Sequence, residues 1–212
     1  MWRREDVLDL YAQPYDSRFP VVCFDESPYQ LVGEVRQPQL SQPGQVQRYD
    51  YQYQRNGTCN LFVFFEPRNG WRHVEVTNRR TKQDFAHCMQ LLVDGYYPEA
   101  EVIRVVLDNL NTHTPAALYE TFPPAEAHRI LQQLEFHYTP KHGSWLNMVE
   151  IELSVLAGQC LNRRLPDKAT VQQEIAAWER QRNDAKATVN WRFTTEKART
   201  KLQRLYPSQP VW

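Results

Sequence analysis

The chain has 212 residues, 42% of them hydrophobic, which suits a single domain with one substantial core. No apolar stretch approaches the ~20 residues that a membrane-spanning helix needs, and the start MWRREDVLDL lacks the apolar region of a signal peptide, so we expect a cytoplasmic protein. The formal net charge is zero, but residues 1–159 carry 14 basic and 20 acidic residues, whereas residues 160–212 carry 11 and 5. The basic end is either a set of solvated helix faces or a phosphate-binding surface.

The cysteines lie far apart and form no CxxC pair, and no His-x-His spacing accompanies them, so we predict reduced thiols and no zinc site. They are Cys23, Cys59, Cys88 and Cys160.

Residues 1–17 are predicted to be a linker or helical leader, and a strand follows them. In FPVVCFDESP (19–28), the apolar run predicts a short strand that ends at Asp25, with Pro28 stopping the ladder. A Pro- and Gln-rich loop is predicted at residues 35–47. The segment RYDYQYQRNGTCNLFVFFEP (48–67) predicts a hairpin in which tyrosines alternate with polar residues up to an Asn56-Gly57 turn. WRHVEVT (71–77) predicts the third strand of a meander.

Helices and strands alternate in the second half. Apolar residues at helical spacing predict a helix over residues 81–93, and VIRVVLDNLNTH (102–113) reads as a buried strand that ends at Asp108. Two helices led by proline, beginning near residues 114 and 123, precede the short strand LEFHYTP (134–140). KHGSW (141–145) is predicted to be a loop whose Ser144 caps a helix that runs to about Leu161. Two more helices follow, one capped by Thr170 and one over residues 195–205.

The order of these elements predicts the fold. A three-stranded meander followed by a parallel strand on the other side of the first strand is a ribonuclease H-like arrangement. We therefore predict an α/β domain over residues 18–162, with a ribonuclease H-like mixed sheet flanked by helices. Residues 163–212 are predicted to be a C-terminal helical extension, basic and packed on the same domain. In such a sheet the strands that hold Asp25 and Asp108 are neighbours, so the two carboxylates lie side by side.

Neighbouring carboxylates predict a metal site. Carboxylates a few Å apart repel each other unless a cation lies between them, and hard oxygen ligands select Mg²⁺ or Mn²⁺. A third acid completes a two-metal site for phosphoryl displacement. The helix after KHGSW offers Glu150 and Glu152, which lie about 200° apart around the helix axis, and periodicity does not choose between them. Glu26 is predicted to be a neighbour rather than a ligand, because its side chain points to the opposite side of the strand from Asp25.

Three blocks of the sequence resemble those of the DDE transposases, in particular the mariner-related family of bacterial insertion sequences. The blocks are CFDES (23–27), VVLDNLNTH (105–113) and HGSWLNMVEIE (142–152). In that family the first block holds an Asp at a strand end, the second Asp-Asn-x-x-x-His, and the third Asn-x-x-Glu near the start of a helix. The resemblance therefore selects Glu150, three positions after Asn147, and implies Asp25, Asp108 and Glu150 as the catalytic and metal-binding residues. His113 is the trailing histidine of the second block.

The resemblance implies a transposase catalytic domain that cleaves and joins DNA strands at insertion-sequence ends with two Mg²⁺ ions, for which Mn²⁺ can substitute. DNA is the implied partner and a homodimer the candidate assembly, with no membrane.

The loops around the triad supply further candidates. Asn109 either orients a metal-bound water or simply ends its strand. His113 either serves the site or is a structural histidine satisfied near Thr114. Trp145 either contacts DNA or anchors the core. The candidate site neighbours are Asn109, His113 and Asn147, and the candidate DNA contacts are Lys141, His142 and Trp145.

Two features depart from the family pattern. Between Asp108 and Glu150 lie 41 residues, more than in most relatives, and the two helices led by proline account for the excess. The family carries helix-turn-helix modules ahead of its catalytic domain, whereas about 17 residues precede the first predicted strand here. Two alternatives therefore stay open. One is a truncated, non-catalytic remnant that binds DNA or a partner transposase, and the other is a ribonuclease H-like nuclease or resolvase.

Overall fold

The computed structural model describes residues 1–36, 43–44 and 51–206. Its strands are β1 (Val21–Glu34), β2 (Tyr53–Glu66), β3 (Trp71–Thr77), β4 (Ile103–Leu107) and β5 (Leu134–Tyr138). They form one sheet in the order β3-β2-β1-β4-β5. The first three strands are antiparallel neighbours, whereas β4 runs parallel to β1 and β5 parallel to β4. The ribonuclease H-like mixed sheet that the order of elements predicts is confirmed.

Helices flank the sheet on both sides. In the described part of the chain they are α1 (Trp2–Ala12), α2 (Lys82–Leu91), α3 (Pro115–Thr121), α4 (Pro124–Gln132), α5 (Val149–Leu156), α6 (Lys168–Asp184) and α7 (Thr195–Lys201). Helices α2 and α5 each continue into a π-helical turn, Leu92–Tyr96 and Ala157–Leu161, and short 3₁₀ turns occur at Ser144–Leu146 and Gln203–Leu205. Over the residues described, none of these helices combines the length and apolar character that a bilayer crossing requires.

Successive strand residues point to opposite faces of the sheet and build two hydrophobic cores. One face, here called the α2 face, packs against α2, α3 and α4; its strand residues include Val22, Phe24, Phe62, Phe64, Val105 and Leu107. The other face, here called the α5 face, packs against α1, α5, α6 and α7; its strand residues include Cys23, Leu61, Val63, Phe65 and Val106. The C-terminal helices thus contribute Val171, Ile175, Trp178 and Ala198 to the same core as the sheet.

Strand β1 is longer than predicted. It does not end at Asp25 but continues to Glu34, because β2 pairs with it along nearly its whole length. Along β1, strand β4 pairs with Val21–Cys23 and no further. Pro28 therefore lies where none of the described strands pairs with β1 on its β4 side, and a residue without an N–H is tolerated at such an edge.

The predicted hairpin turn at Asn56-Gly57 is wrong. Both residues lie inside β2, at the register shift opposite Leu31, and Gly57 has a φ of 101°. Two residues opposite one form a bulge, and glycine adopts positive φ without steric cost. The predicted loop at residues 35–47 lies largely outside the described residues, and Tyr49 of the predicted hairpin lies outside them too.

Two predicted helix starts are also wrong. Helix α5 begins at Val149 and has no side-chain cap, because Ser144 opens a separate 3₁₀ turn instead of capping the helix. Helix α6 is capped by Asp167, whose Oδ1 accepts a hydrogen bond of 2.8 Å from the Thr170 backbone N–H. A carboxylate three residues earlier therefore takes the capping role predicted for Thr170.

Candidate active site

Asp25 and Asp108 lie beside each other at one end of the parallel pair β1 and β4. Cys23 of β1 is paired with Val106 of β4, and each Asp lies two positions beyond its paired residue. Alternation along β1 puts the Asp25 carboxylate on the α5 face, as Cys23 is, whereas Asp108 is the first residue beyond the end of β4. The carboxyl ends of parallel strands are the edge at which α/β proteins bind ligands.

A buried amide fixes the start of α5 next to Asp25. Asn147 donates a hydrogen bond of 2.9 Å from Nδ2 to the carbonyl of Phe24, the residue before Asp25. Its Oδ1 accepts from the Val149 N–H at 3.4 Å. Glu150, in the first turn of α5, is exposed. The predicted site neighbour Asn147 thus joins the helix that carries Glu150 to the strand that carries Asp25.

The pKa of Asp25 reflects its burial and the charges of the acids around it. Burial is the main cause that raises the pKa of Asp25, and the negative charges of Asp108, Glu26 and Glu150 raise it further. The Glu26 backbone N–H donates to Asp25 Oδ1 at 2.8 Å and lowers the pKa, and the outcome is a pKa of about 7. The acids that the sequence predicts as a triad therefore lie within electrostatic reach of one another.

No complete metal site is assembled in the part of the chain that the structure describes: no three Asp, Glu, His or Cys side chains there form a group that could hold an ion. The donors nevertheless suit a hard divalent ion in kind, since carboxylate oxygens are the ligands that Mg²⁺ and Mn²⁺ prefer. Partial burial, and after it the charges of neighbouring acids, raise the pKa of Asp25, and a bound cation would stabilise its ionised form.

His113 is buried between two carboxylates. Its Nδ1 lies 2.7 Å from Asp108 Oδ1, and its Nε2 lies 2.9 Å from Glu26 Oε2. The rings of Phe24 and Phe85 enclose it, with centroids 5.4 and 4.9 Å away. Burial lowers the pKa of His113, but the two carboxylates outweigh it and raise the pKa to about 9. The hydrogen bond with His113 in turn lowers the pKa of Asp108.

The remaining candidates lie around the open side of the site. Asn109 is exposed directly after Asp108 and, with Lys141 and His142, lines a groove beside that carboxylate. Trp145 is 44% exposed, so it does not anchor the core. It stacks on Trp191 with ring centroids 6.4 Å apart and contacts the edge of Phe193. These last two aromatic contacts were not predicted.

Glu152, the competing glutamate, is part of the fold. It is 1% exposed and lies 2.7 Å from Nε of Arg72, which is itself fully buried. Arg182 of α6 donates to its two oxygens at 3.1 and 3.0 Å. The sequence did contain a signal of this cluster: alternation in WRHVEVT places Arg72 on the same face as Val74 and Val76, and an arginine on an apolar face requires a buried acid.

Comparisons with known proteins bear on the fold and the family. A family model described as DDE superfamily endonuclease matches residues 20–172. No curated protein gives a significant sequence match. Among solved structures, the Mos1 mariner paired end complex with Mn is similar at a TM-score of 0.58 and 17% identity, over 87% of this chain and 56% of that chain. The Mos1 Strand Transfer Complex gives a TM-score of 0.56 at 14% identity, over 91% of this chain and 62% of that one. A pre-cleavage Mos1 transpososome gives 0.54 at 14% identity, over 91% and 64%.

The chain therefore spans less than two thirds of the length of these structural neighbours. At this level of identity the likeness establishes the fold, and the family-model match covers most of the present chain.

Proposed function

Since the chain belongs to the DDE superfamily endonucleases, we propose that it is a transposase catalytic domain that cuts DNA strands at transposon ends and joins the freed 3′-hydroxyl to target DNA. In this proposal Asp25, Asp108 and Glu150 hold two divalent ions, Mg²⁺ with Mn²⁺ as a substitute. One observation carries the proposal: at the end of two neighbouring parallel strands, the charges of Asp108 and of Glu150 on α5 both act on Asp25. The neighbours' names, a paired end complex and a strand transfer complex, support DNA as the partner.

The proposed chemistry is two successive in-line displacements at phosphorus. Water attacks the phosphodiester at the transposon end and displaces its 3′-oxygen as a hydroxyl. That 3′-hydroxyl then loses its proton, attacks a target phosphodiester and displaces the 3′-oxygen of the target strand, so no side chain forms a covalent bond. Bound divalent ions would supply charge neutralisation and activation of the nucleophile. The chain's own residues position these groups, since His113 orients the Asp108 carboxylate and Asn147 fixes α5.

A metal-dependent nicking assay tests the proposal. We expect Asp108→Ala to lose cleavage of a supercoiled plasmid by orders of magnitude, because transition-state charge is then no longer neutralised. Asp94→Asn is the matched control, since Asp94 is an exposed acid paired with Arg129. Undiminished nicking by Asp108→Ala would refute the site assignment. Parallel assays on an RNA–DNA hybrid and on a four-way junction separate a transposase from a nuclease or resolvase of the same fold.

Metal binding tests the choice of glutamate separately. We expect Mg²⁺ or Mn²⁺ to raise the melting temperature of the wild type, because an ion that binds only the native state stabilises it. Glu150→Gln should lose this rise. Glu152→Gln should melt at a lower temperature and yet keep the rise on metal addition. The opposite pattern would assign the site to Glu152.

A non-catalytic DNA-binding remnant is the second candidate function. The observation that favours it is that, among residues 1–36, 43–44 and 51–206, no three acids are gathered into a metal site. This candidate predicts DNA binding without any nicking at millimolar Mg²⁺ or Mn²⁺, whereas the first predicts both.

We place the DNA-binding surface around the loop that holds Lys141, His142 and Trp145. The loop borders the groove beside Asp108, and Trp145 stacks on the segment that carries the exposed Arg192. Basic side chains next to an exposed aromatic ring suit phosphate contact and base stacking.

A homodimer is the proposed assembly, because two transposon ends require two sites. Analytical sedimentation with and without end DNA tests the proposed dimer.

A further inference from the structure

Behind Asp108 lies a second acid that the proposed chemistry does not use. We propose that Glu26 is a positioning residue, which holds His113 from behind so that the imidazole fixes the Asp108 carboxylate in the orientation that binds a divalent ion. This inference rests on the proposed function, because it assumes that Asp108 is a metal ligand.

The first support is the geometry at Asp108. Its Oδ1 accepts from the Leu110 backbone N–H at 3.2 Å and contacts His113 Nδ1 at 2.7 Å. Two donors on the same oxygen fix the rotation of the carboxylate. Among the described hydrogen bonds none uses Oδ2, so the second oxygen remains for a ligand.

The second support is the anchoring of His113 itself. Its backbone N–H donates to the Leu110 carbonyl at 3.0 Å, and its carbonyl accepts from the Tyr138 hydroxyl at 2.8 Å. The main chain is thus fixed on both sides of the residue, and the remaining freedom is rotation of the ring. Glu26 Oε2 lies 2.9 Å from Nε2 on the far side of the ring, at ion-pair distance but without hydrogen-bond geometry, so the restraint on that rotation is a close electrostatic contact.

The third support is the location of Glu26. Adjacent residues of β1 point to opposite faces, so Asp25 reaches the site from the α5 face while Glu26 lies on the α2 face beneath it. The Glu26 side chain is 5% exposed, and its ion-pair partners in the described part of the chain are His113 and, at 3.7 Å, the half-exposed Arg80. A buried carboxylate costs stability unless it is paired, and a hydrophobic side chain would serve packing alone better.

The arrangement follows the way proteins orient ligands for metals. The side chain that binds the metal is oriented by a second side chain, and the second is oriented by a third that does not touch the metal. Loss of such an outer side chain typically weakens metal binding by about 10- to 100-fold. Here the series would be Glu26, His113 and Asp108, extending from the α2 face to the end of β4.

The test measures Mn²⁺ affinity of the full chain without DNA, together with the Mn²⁺ concentration that gives half-maximal nicking. We expect Glu26→Gln to raise both by about 10-fold while leaving DNA affinity unchanged. Glu66→Gln is the matched control. Glu66, at the end of β2, is also buried, and its carboxylate accepts hydrogen bonds from Tyr97 and Asn69. It should alter neither metal value.

A double variant shows whether Glu26 acts through His113. We expect Glu26→Gln added to His113→Asn to cause no further loss of Mn²⁺ affinity, because the route through the imidazole is already broken. Fully additive losses, or a Glu26→Gln protein with wild-type Mn²⁺ affinity, would overturn the inference. A wild type that binds Mn²⁺ but never nicks would refute the proposed function alone, and the binding data would still decide on Glu26. A wild type that binds no Mn²⁺ would refute both.

Discussion

Glu150 and Glu152 lie two positions apart on α5 and have opposite surroundings. The first is exposed at the end of the sheet, whereas the second is buried between Arg72 and Arg182. Rotation by about 200° between the two positions turns them toward different parts of the fold. The local sequence could not separate them, because each has apolar residues at helical spacing; the partner Arg72 lies 80 positions away.

Glu152→Ala should destabilise the protein strongly. It leaves the fully buried Arg72 without its carboxylate, and breaking a buried ion pair from one side costs about 3–5 kcal/mol. Glu150→Ala should change the free energy of unfolding by less than about 0.5 kcal/mol, as expected of an exposed side chain. Urea unfolding monitored by tryptophan fluorescence measures both values. Similar losses in the two variants would contradict the structural role of Glu152.

His73 should make stability depend on pH. Burial lowers the pKa of His73, but contacts with Glu179 and Glu75 prevail and raise it from 6.5 to about 9. The folded state therefore holds this proton more tightly than the unfolded state does. The stabilisation is complete below pH 6.5 and is lost as the pH rises through about 9.

His73→Gln should accordingly be less stable than the wild type by about 1–3 kcal/mol at pH 6, and the difference should shrink toward pH 10. Denaturant unfolding at a series of pH values measures it, with His128→Gln, at an exposed position on α4, as the control. A deficit that stays constant from pH 6 to pH 10 would show that the ion pair contributes nothing.

At the scale of elements, the position of α5 depends on Asn147. Replacement by Ala removes the amide that bonds to the Phe24 carbonyl, and a buried acceptor left unsatisfied costs about 1–3 kcal/mol. Because Glu150 moves with the helix, we also expect nicking to fall by about 10²-fold, the effect of a displacement of about 1 Å in a catalytic group.

Asn60→Ala is the comparison for this prediction. Asn60 is also buried, and its Nδ2 donates to the Asn78 carbonyl at 3.3 Å on the other side of the sheet centre from Asp108. This variant should lose stability without a comparable loss of nicking. Equal effects on nicking in the two variants would mean that Asn147 has no special positioning role.

Strands with a continuous local pattern agree with their predictions, whereas the predicted turn, two predicted helix caps and the length of β1 do not. Strands β3, β4 and β5 follow from alternation or apolar runs, and α2 follows from apolar residues at helical spacing. The length of β1 depends on pairing with β2, and the bulge at Gly57 depends on Leu31 of that partner. An Asn-Gly pair favours positive φ in a turn and in a bulge alike, so the sequence could not tell one from the other.

At the scale of the whole molecule, part of the basic C-terminal region is neutralised within the fold. Four of its arginines form ion pairs: Arg163 with Glu174, Arg164 with Glu34, Arg182 with Glu152 and Arg199 with Glu5. Part of the charge asymmetry read from the sequence therefore serves the packing of the end of the chain. Arg192 is exposed between Trp191 and Phe193, whose rings contact Trp145 of the loop that holds Lys141.

Salt dependence should identify the phosphate contacts. We expect Arg192→Gln and Lys141→Gln each to reduce the slope of log affinity against log salt concentration by about 0.9, the value for one phosphate contact on duplex DNA. Fluorescence anisotropy of labelled duplex between 50 and 200 mM salt measures the slope. Arg129→Gln, in an ion pair on α4 at the opposite face of the sheet, should keep the wild-type slope. An unaltered slope in Arg192→Gln and Lys141→Gln would place the DNA elsewhere.

The separate surroundings of Glu150 and Glu152 have a consequence for inheritance. On the proposed function, a copy that loses the Glu150 carboxylate keeps the buried Arg72–Glu152–Arg182 cluster and hence its folded state. It would escape proteolysis and still occupy the same DNA. Such a copy is expected to act as a dominant inhibitor of intact copies in the same cell. Mutation of one gene copy would then lower the transposition frequency of the others.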